Sequence, residues 1–111
     1  SLVNAKSPRA VQRKIDGGLM LLEILTDQLK SITDVGVRSW YDRMISHSVV
    51  SLMTLIGAYQ YDKRKEYIQQ LNRWYIFPLM KYSGNKQSTK VRLLNFSPRL
   101  FLWLLHIKNK Q

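Results

Sequence analysis

The most regular periodicity in the chain lies in residues 7–32, which read SPRAVQRKIDGGLMLLEILTDQLKSI. Apolar residues recur there at spacings of three and four, which aligns them along one face of a helix. The row comprises Val11, Ile15, Gly18, Leu22, Leu25, Leu29 and Ile32. Ser7 can accept hydrogen bonds from the first free amides, and proline at the first helical position loses no bond. The segment therefore predicts a helix over residues 8–32.

Two adjacent glycines interrupt this helix. Gly17 and Gly18 each cost roughly 1 kcal/mol relative to alanine in a helix interior. We expect a second helix to pack closely at this point, and a bend in the first helix is the alternative.

The rest of the chain predicts further helices and no strand. Periodic apolar residues and turn signals place helices at residues 36–58, 62–77, 86–96 and 98–109, with a short continuation at 79–82 and a loop at 83–85. Pro78 should end the third helix, and Ser97-Pro98-Arg99 repeats the start signal Ser7-Pro8-Arg9. We predict an all-α bundle of four to five helices, three longer ones plus two short C-terminal ones.

Charge and aromatic residues are unevenly distributed. The net charge is +11, and Glu66 is the last carboxylate in the sequence. Eight Lys/Arg residues and eight of the twelve aromatic residues follow it. We predict one domain over 1–111, with core helices at 1–83 and basic, aromatic helices at 84–111, as a piece of a longer chain. An anionic partner with an apolar layer behind it suits this distribution.

Composition and motifs exclude several classes of function. The chain has no cysteine, so it offers neither a disulfide nor a thiolate metal site. The longest apolar run, Leu100 to Leu105, is far below the roughly 20 residues of a spanning helix. No nucleophile motif is present, and His47 and His106 lack a metal-binding neighbourhood. We expect no catalysis from this segment.

Carboxylates on the predicted first helix could in principle bind a metal ion. The successive spacings between Asp16, Glu23 and Asp27 are seven and four residues. A solvated helix face, with pairing to Lys14 or Lys30, explains them better.

The basic C-terminal part is the candidate site for an anionic membrane surface. The residues expected to face headgroups or a lipid-linked acceptor are Lys86, Lys90, Arg92, Arg99, Trp103, Lys108 and Lys110. Leu100 to Leu105 would supply the apolar side, and tryptophan suits the headgroup boundary.

Other interpretations of the same residues remain open. The apolar side chains would alternatively pack on the first two helices and leave an ordinary solvated basic face. A nucleic acid or a protein partner is a further alternative, since net charge +11 and exposed aromatic residues are compatible with it. An apolar surface that normally contacts the rest of a longer chain would make the isolated piece a homo-oligomer.

The closing string VRLLNFSPRLFLWLLHIKNK (residues 91–110) resembles the C-terminal ends of bacterial family 2 glycosyltransferases. These ends carry a short Leu-rich helix, a Ser-Pro step, a second hydrophobic helix and a lysine-rich finish. The opening Ser1-Leu2-Val3-Asn4 is similar to the stretch that follows their catalytic domain.

The resemblance implies an accessory region whose GT-A-type catalytic domain lies upstream in the same chain. A nucleotide sugar and a divalent metal, held by a DxD motif, would belong to that domain, and no cofactor is expected in residues 1–111. The implied location is cytoplasmic and peripheral, at the inner membrane face, where lipid-linked sugars for surface polysaccharides are extended. No family active-site residue transfers to any position in this sequence.

Overall fold

Helices account for nearly all of the described part of the chain. The computed structural model describes residues 7–79 and 85–110, with side chains for 7–79 and 89–109. The elements are α1 (Pro8–Leu29), α2 (Val35–Tyr59), a 3-10 turn (Tyr61–Lys63), α3 (Arg64–Arg73), α4 (Asn85–Phe96) and α5 (Pro98–Lys110). The described ranges contain no strand, and the predicted all-α class is confirmed.

The predicted start signals work as caps. The backbone N–H of Ala10 donates to Ser7 Oγ at 3.1 Å. The N–H of Leu100 donates to Ser97 Oγ at 3.2 Å, so the repeated Ser-Pro-Arg tripeptide opens α5 as it opens α1. Asp34, which was not predicted as a cap, also caps α2 by accepting from the N–H of Val37 at 2.9 Å. Each cap satisfies an amide that the helix itself leaves unpaired.

Helix α2 is the centre of the bundle. It packs against α1 on one side and against α4 and α5 on another. One hydrophobic cluster runs through all five helices, so the basic C-terminal helices contribute to the same core as α1, α2 and α3. Its fully buried members include Ile15, Leu22, Met53, Ile56, Leu71, Val91, Leu94 and Leu102.

Two glycines lie where α2 contacts another helix. A Cβ on Gly18 would lie 3.4 Å from Leu52 Cδ1, at the short end of ordinary van der Waals contact, so α2 packs beside one of the two predicted positions. A Cβ on Gly17 would meet nothing within 4 Å. A Cβ on Gly57 would lie only 2.9 Å from the Cβ of Leu105, which brings α5 against the C-terminal half of α2.

Helix α3 ends earlier than predicted. The third helix was expected to reach residue 77, but α3 ends at Arg73. The N–H of Ile76 donates to the carbonyl of Leu71 at 3.4 Å, and the N–H of Tyr75 donates to that of Asn72 at 3.0 Å. These bonds and the positive φ of Tyr75 (54°) form a Schellman cap. The left-handed residue Tyr75 therefore ends the helix, and Pro78 lies beyond this cap.

Tyr75 occupies a backbone position that favours glycine, and its side chain is 90% exposed. We expect Tyr75→Gly to raise the free energy of unfolding by about 0.5–1 kcal/mol. A residue with a Cβ costs about 1–2 kcal/mol in the left-handed conformation, and glycine removes this cost. Part of the gain is offset because glycine loses more chain entropy on folding. Urea denaturation measures the change. Tyr75→Ala is the control, since it retains a Cβ and should stay near wild type; an equal gain from alanine would contradict the strain explanation.

The short helical continuation predicted at residues 79–82 is wrong for Leu79, which is the one of these residues that the structure describes. Leu79 is buried and lies outside any helix. Its N–H donates to Asn95 Oδ1 at 2.5 Å, and Asn95 Nδ2 donates back to its carbonyl at 2.9 Å. This pairing ties the non-helical segment after α3 to α4. Residues 80–84 lie outside the described residues, and Asn85, expected in the loop, is the first residue of α4.

Candidate functional site

Helix α5 has a core side and an outward side. Phe101 and Leu102 are buried in the hydrophobic cluster, whereas Trp103 is 47% and Leu104 43% exposed. The sequence-based expectation that Leu100 to Leu105 all face a membrane is therefore wrong for Phe101 and Leu102, and also for Leu105, which packs against the same cluster beside Gly57. They pack inward because α5 lies against α2 and α4. Trp103 and Leu104 remain on the outside.

Cations flank this outward side. Arg99 lies four residues before Trp103, Lys108 lies four residues after Leu104, and both are exposed. At 3.6 residues per turn, Arg99 and Lys108 are about 180° apart around the helix. They border the exposed apolar strip, which consists of Trp103 and Leu104, at its two edges. Lys110 lies in the last turn of α5, and its side chain is outside the described residues.

The other predicted site residues lie on α4. Arg92 is exposed and lies four residues before the exposed Phe96, so a second cation and ring share one helix face. Lys90 is half-buried on the same helix. Lys86 also lies on α4, but its side chain is outside the described residues.

Arg99 and Trp103 also line an open groove of about 620 Å³ between the start of α3 and the start of α5. Its lining comprises Tyr61, Asp62, Arg64, Lys65, Arg99, Leu100 and Trp103. Arg64 and Lys65 were missed by sequence reasoning, although the run Lys63-Arg64-Lys65 is conspicuous. Only the tertiary packing of α5 beside the 3-10 turn reveals that they join the C-terminal cations.

An aromatic stack holds one wall of this groove in place. The rings of Tyr61 and His106 are parallel within 8°, with centroids 4.0 Å apart. The guanidinium carbon of Arg64 lies 4.2 Å from the Tyr61 centroid, and because the imidazole covers one face, Arg64 must cover the other. Arg64 Nη1 also donates to the Tyr61 carbonyl at 3.0 Å. His106 thus has a structural contact, while His47 is exposed.

The 3-10 turn is anchored to the rest of the bundle by side-chain hydrogen bonds. Gln60 Nε2 donates to Gln12 Oε1 on α1 at 2.7 Å. The hydroxyl of Tyr67 on α3 donates to Gln60 Oε1. One glutamine therefore connects α1, the end of α2 and α3, which fixes the position of the groove relative to the core.

Most carboxylates gather on a different surface. Asp16, Glu23 and Glu66 line a groove with Met20 and Trp74, and Asp27 lies in an adjoining depression that shares Met20, Glu23 and Trp74. Gln12 Nε2 donates to Asp16 Oδ1 at 2.9 Å. Within the described ranges, no three His, Asp or Glu side chains converge in a way that could hold a metal ion.

No protein-family model, curated protein or solved structure matches this chain. The function is therefore inferred from the geometry of the site and from the sequence resemblance. Among the helices of the described residues, none combines the length and apolar character required to cross a bilayer.

Proposed function

We propose that this chain is a non-catalytic C-terminal region of a bacterial glycosyltransferase of surface polysaccharide synthesis. It would hold the upstream catalytic domain at the inner membrane face, over its lipid-linked acceptor. The glycosyltransferase part of the proposal is supported by the resemblance of residues 91–110. The membrane part is supported above all by the outward side of α5, where Trp103 and Leu104 lie exposed between Arg99 and Lys108.

The expected attachment is moderate and reversible. Each cation near an anionic leaflet contributes about 1 kcal/mol. Trp103 is already about half covered by the protein, so its insertion into the interface would add about 1–2 kcal/mol. Two to four cations with one tryptophan therefore give binding that depends on both surface charge and an apolar layer. Neither contribution alone would hold the protein at the membrane.

Such attachment would act by positioning. It would raise the concentration of acceptor around the catalytic domain without contributing to the chemical step. The nucleotide sugar and any divalent metal would bind the catalytic domain, and this region would need neither.

Vesicle flotation tests the membrane part of the proposal. The chain should float with phosphatidylcholine vesicles that contain phosphatidylglycerol and remain behind with phosphatidylcholine alone. Added salt should weaken the binding, because exposed charges are screened over about 10 Å at 0.1 M ionic strength. Binding to duplex or single-stranded nucleic acid with a steep salt dependence, and no flotation, would contradict the proposal and favour a nucleic-acid module.

Two tryptophans of nearly equal exposure provide a matched pair for the same assay. We expect Trp103→Ala to weaken vesicle binding by about 5- to 30-fold, the equivalent of the 1–2 kcal/mol of interfacial burial. Trp40, which is 48% exposed on α2 compared with 47% for Trp103, should tolerate Trp40→Ala without loss of binding. Flotation across a lipid titration measures both. Equal weakening by the two substitutions would show that general aromatic exposure, and not the α5 surface, drives binding.

A further inference from the structure

We infer that the groove between the start of α3 and the start of α5 is a binding site for a phosphate group, either a phosphomonoester or a pyrophosphate. The inference rests on the proposed function and names the part of the anionic surface that this groove would recognise. General attraction to a leaflet needs only scattered cations, whereas this groove gathers three of them around one space.

The charge of the groove suits an anion with more than one negative charge. The groove lining contains one carboxylate, Asp62, and three cations, which are Arg64, Lys65 and Arg99. A phosphomonoester carries about −1.5 to −2 charges at neutral pH and several acceptor oxygens. Arginine can bind two such oxygens at once through its planar fork, and lysine adds a compact point charge. A singly charged diester headgroup would use less of this arrangement.

Arg64 is held in place before any ligand arrives. Its guanidinium lies over the Tyr61 ring and donates to the Tyr61 carbonyl, and His106 holds the other face of that ring. A guanidinium fixed by such contacts loses less conformational entropy on binding. The groove therefore has one preformed wall and two adaptable cations on exposed side chains.

The first turn of α5 supports the same preference. Arg99 lies in this turn, directly after Pro98 at the first helical position. The aligned peptide dipoles place partial positive charge at a helix N-terminus, which adds to the charge of Arg99. Trp103 stands one turn further along and, with Leu100, gives the groove an apolar side. A phosphate that is joined to an apolar chain fits this combination of surfaces better than a free anion does.

Two vesicle types separate this site from general attraction. Phosphatidic acid presents a phosphomonoester and phosphatidylglycerol a diester, and the two preparations are matched in zeta potential. We expect binding to be about tenfold tighter for phosphatidic acid, the effect of one additional charge-assisted hydrogen bond. No flotation with either vesicle would refute the proposed function itself. Equal flotation with both would leave the proposed function standing and overturn the phosphate site.

Charge-matched double variants test whether the preference for phosphatidic acid arises in the groove. Lys65→Gln with Arg99→Gln should bring the ratio of the two affinities close to one. Arg92→Gln with Lys108→Gln removes the same charge outside the groove, so it should weaken both affinities equally and preserve the ratio. Asp62→Asn should increase the ratio, since it removes the carboxylate from the groove lining. Preservation of the ratio in the first double variant would overturn the inference, even if overall binding fell.

Inorganic pyrophosphate distinguishes the two sources of the phosphate. If it abolishes the preference for phosphatidic acid at constant ionic strength, the groove binds the phosphate group without its lipid. If the preference survives the competitor yet is lost in the Lys65/Arg99 double variant, the groove requires the phosphate in its lipid context. Either result supports the site, whereas a preference insensitive to both treatments contradicts it.

Discussion

Leu102→Ala is expected to lower the free energy of unfolding by about 2–5 kcal/mol, because the removed atoms leave a cavity in a closely packed core. Leu102 is fully buried, with 0% of its surface exposed. Leu104→Ala, two positions away on the same helix, should stay within about 0.5 kcal/mol of wild type, as an outward substitution normally does. Urea denaturation of the two variants measures the difference.

In vesicle binding, Leu104→Ala should have the larger effect and Leu102→Ala the smaller. Leu104→Ala removes part of the outward apolar strip and should weaken binding several-fold, about 1 kcal/mol for the area lost. Leu102→Ala, assayed where it remains folded, should bind like wild type. If Leu104→Ala were the more destabilising variant, α5 would be rotated about its axis relative to the described packing, and the proposed membrane surface would be the wrong one.

Gly57→Ala should destabilise the protein by about 1–3 kcal/mol through overpacking. The added Cβ would lie 2.9 Å from Leu105 Cβ and 3.4 Å from the carbonyl oxygen of Leu102. Neither atom is the end of a flexible side chain, so relief requires movement of the α5 backbone. The groove depends on where α5 begins, so such movement should also reduce the phosphatidic acid preference.

Gly17→Ala is the control for this substitution. Its added Cβ meets nothing within 4 Å, so only the gain in helix propensity remains, about 0.5–1 kcal/mol of added stability. Thermal and chemical denaturation should give shifts of opposite sign for the two glycines. A stabilising Gly57→Ala would mean that α2 and α5 are farther apart than described.

Local signals in the sequence were sufficient for most of the helices. The Ser-Pro-Arg tripeptides act through atoms within three residues, so their caps could be predicted without knowing the fold. The glycine pair on α1 also predicted a helix contact, which lies at Gly18 and not at Gly17. The end of α3 could not be predicted, because the visible stop signal was Pro78 while the left-handed position is filled by Tyr75 instead of glycine.

The candidate site was only partly predictable for two physical reasons. Every position from Leu100 to Leu105 is apolar, so the run has no periodicity that could separate the core side from the outward side. The packing of α5 on α2 makes that division. Arg64 and Lys65 are more than 30 residues from Arg99 in sequence, and the contacts of α5 with α3 and with the 3-10 turn bring these cations to one groove.

The most direct test of the membrane proposal is the depth of α5 in the lipid interface. The chain contains no cysteine, so a single Leu104→Cys variant can carry one environment-sensitive fluorophore. Ser51→Cys, on an exposed position of α2, is the matched control. With anionic vesicles, the label at position 104 should shift to the blue and become shielded from a water-soluble quencher, while the label at position 51 should not change. A label at position 104 that remains fully accessible to the quencher while the protein is bound would contradict the account.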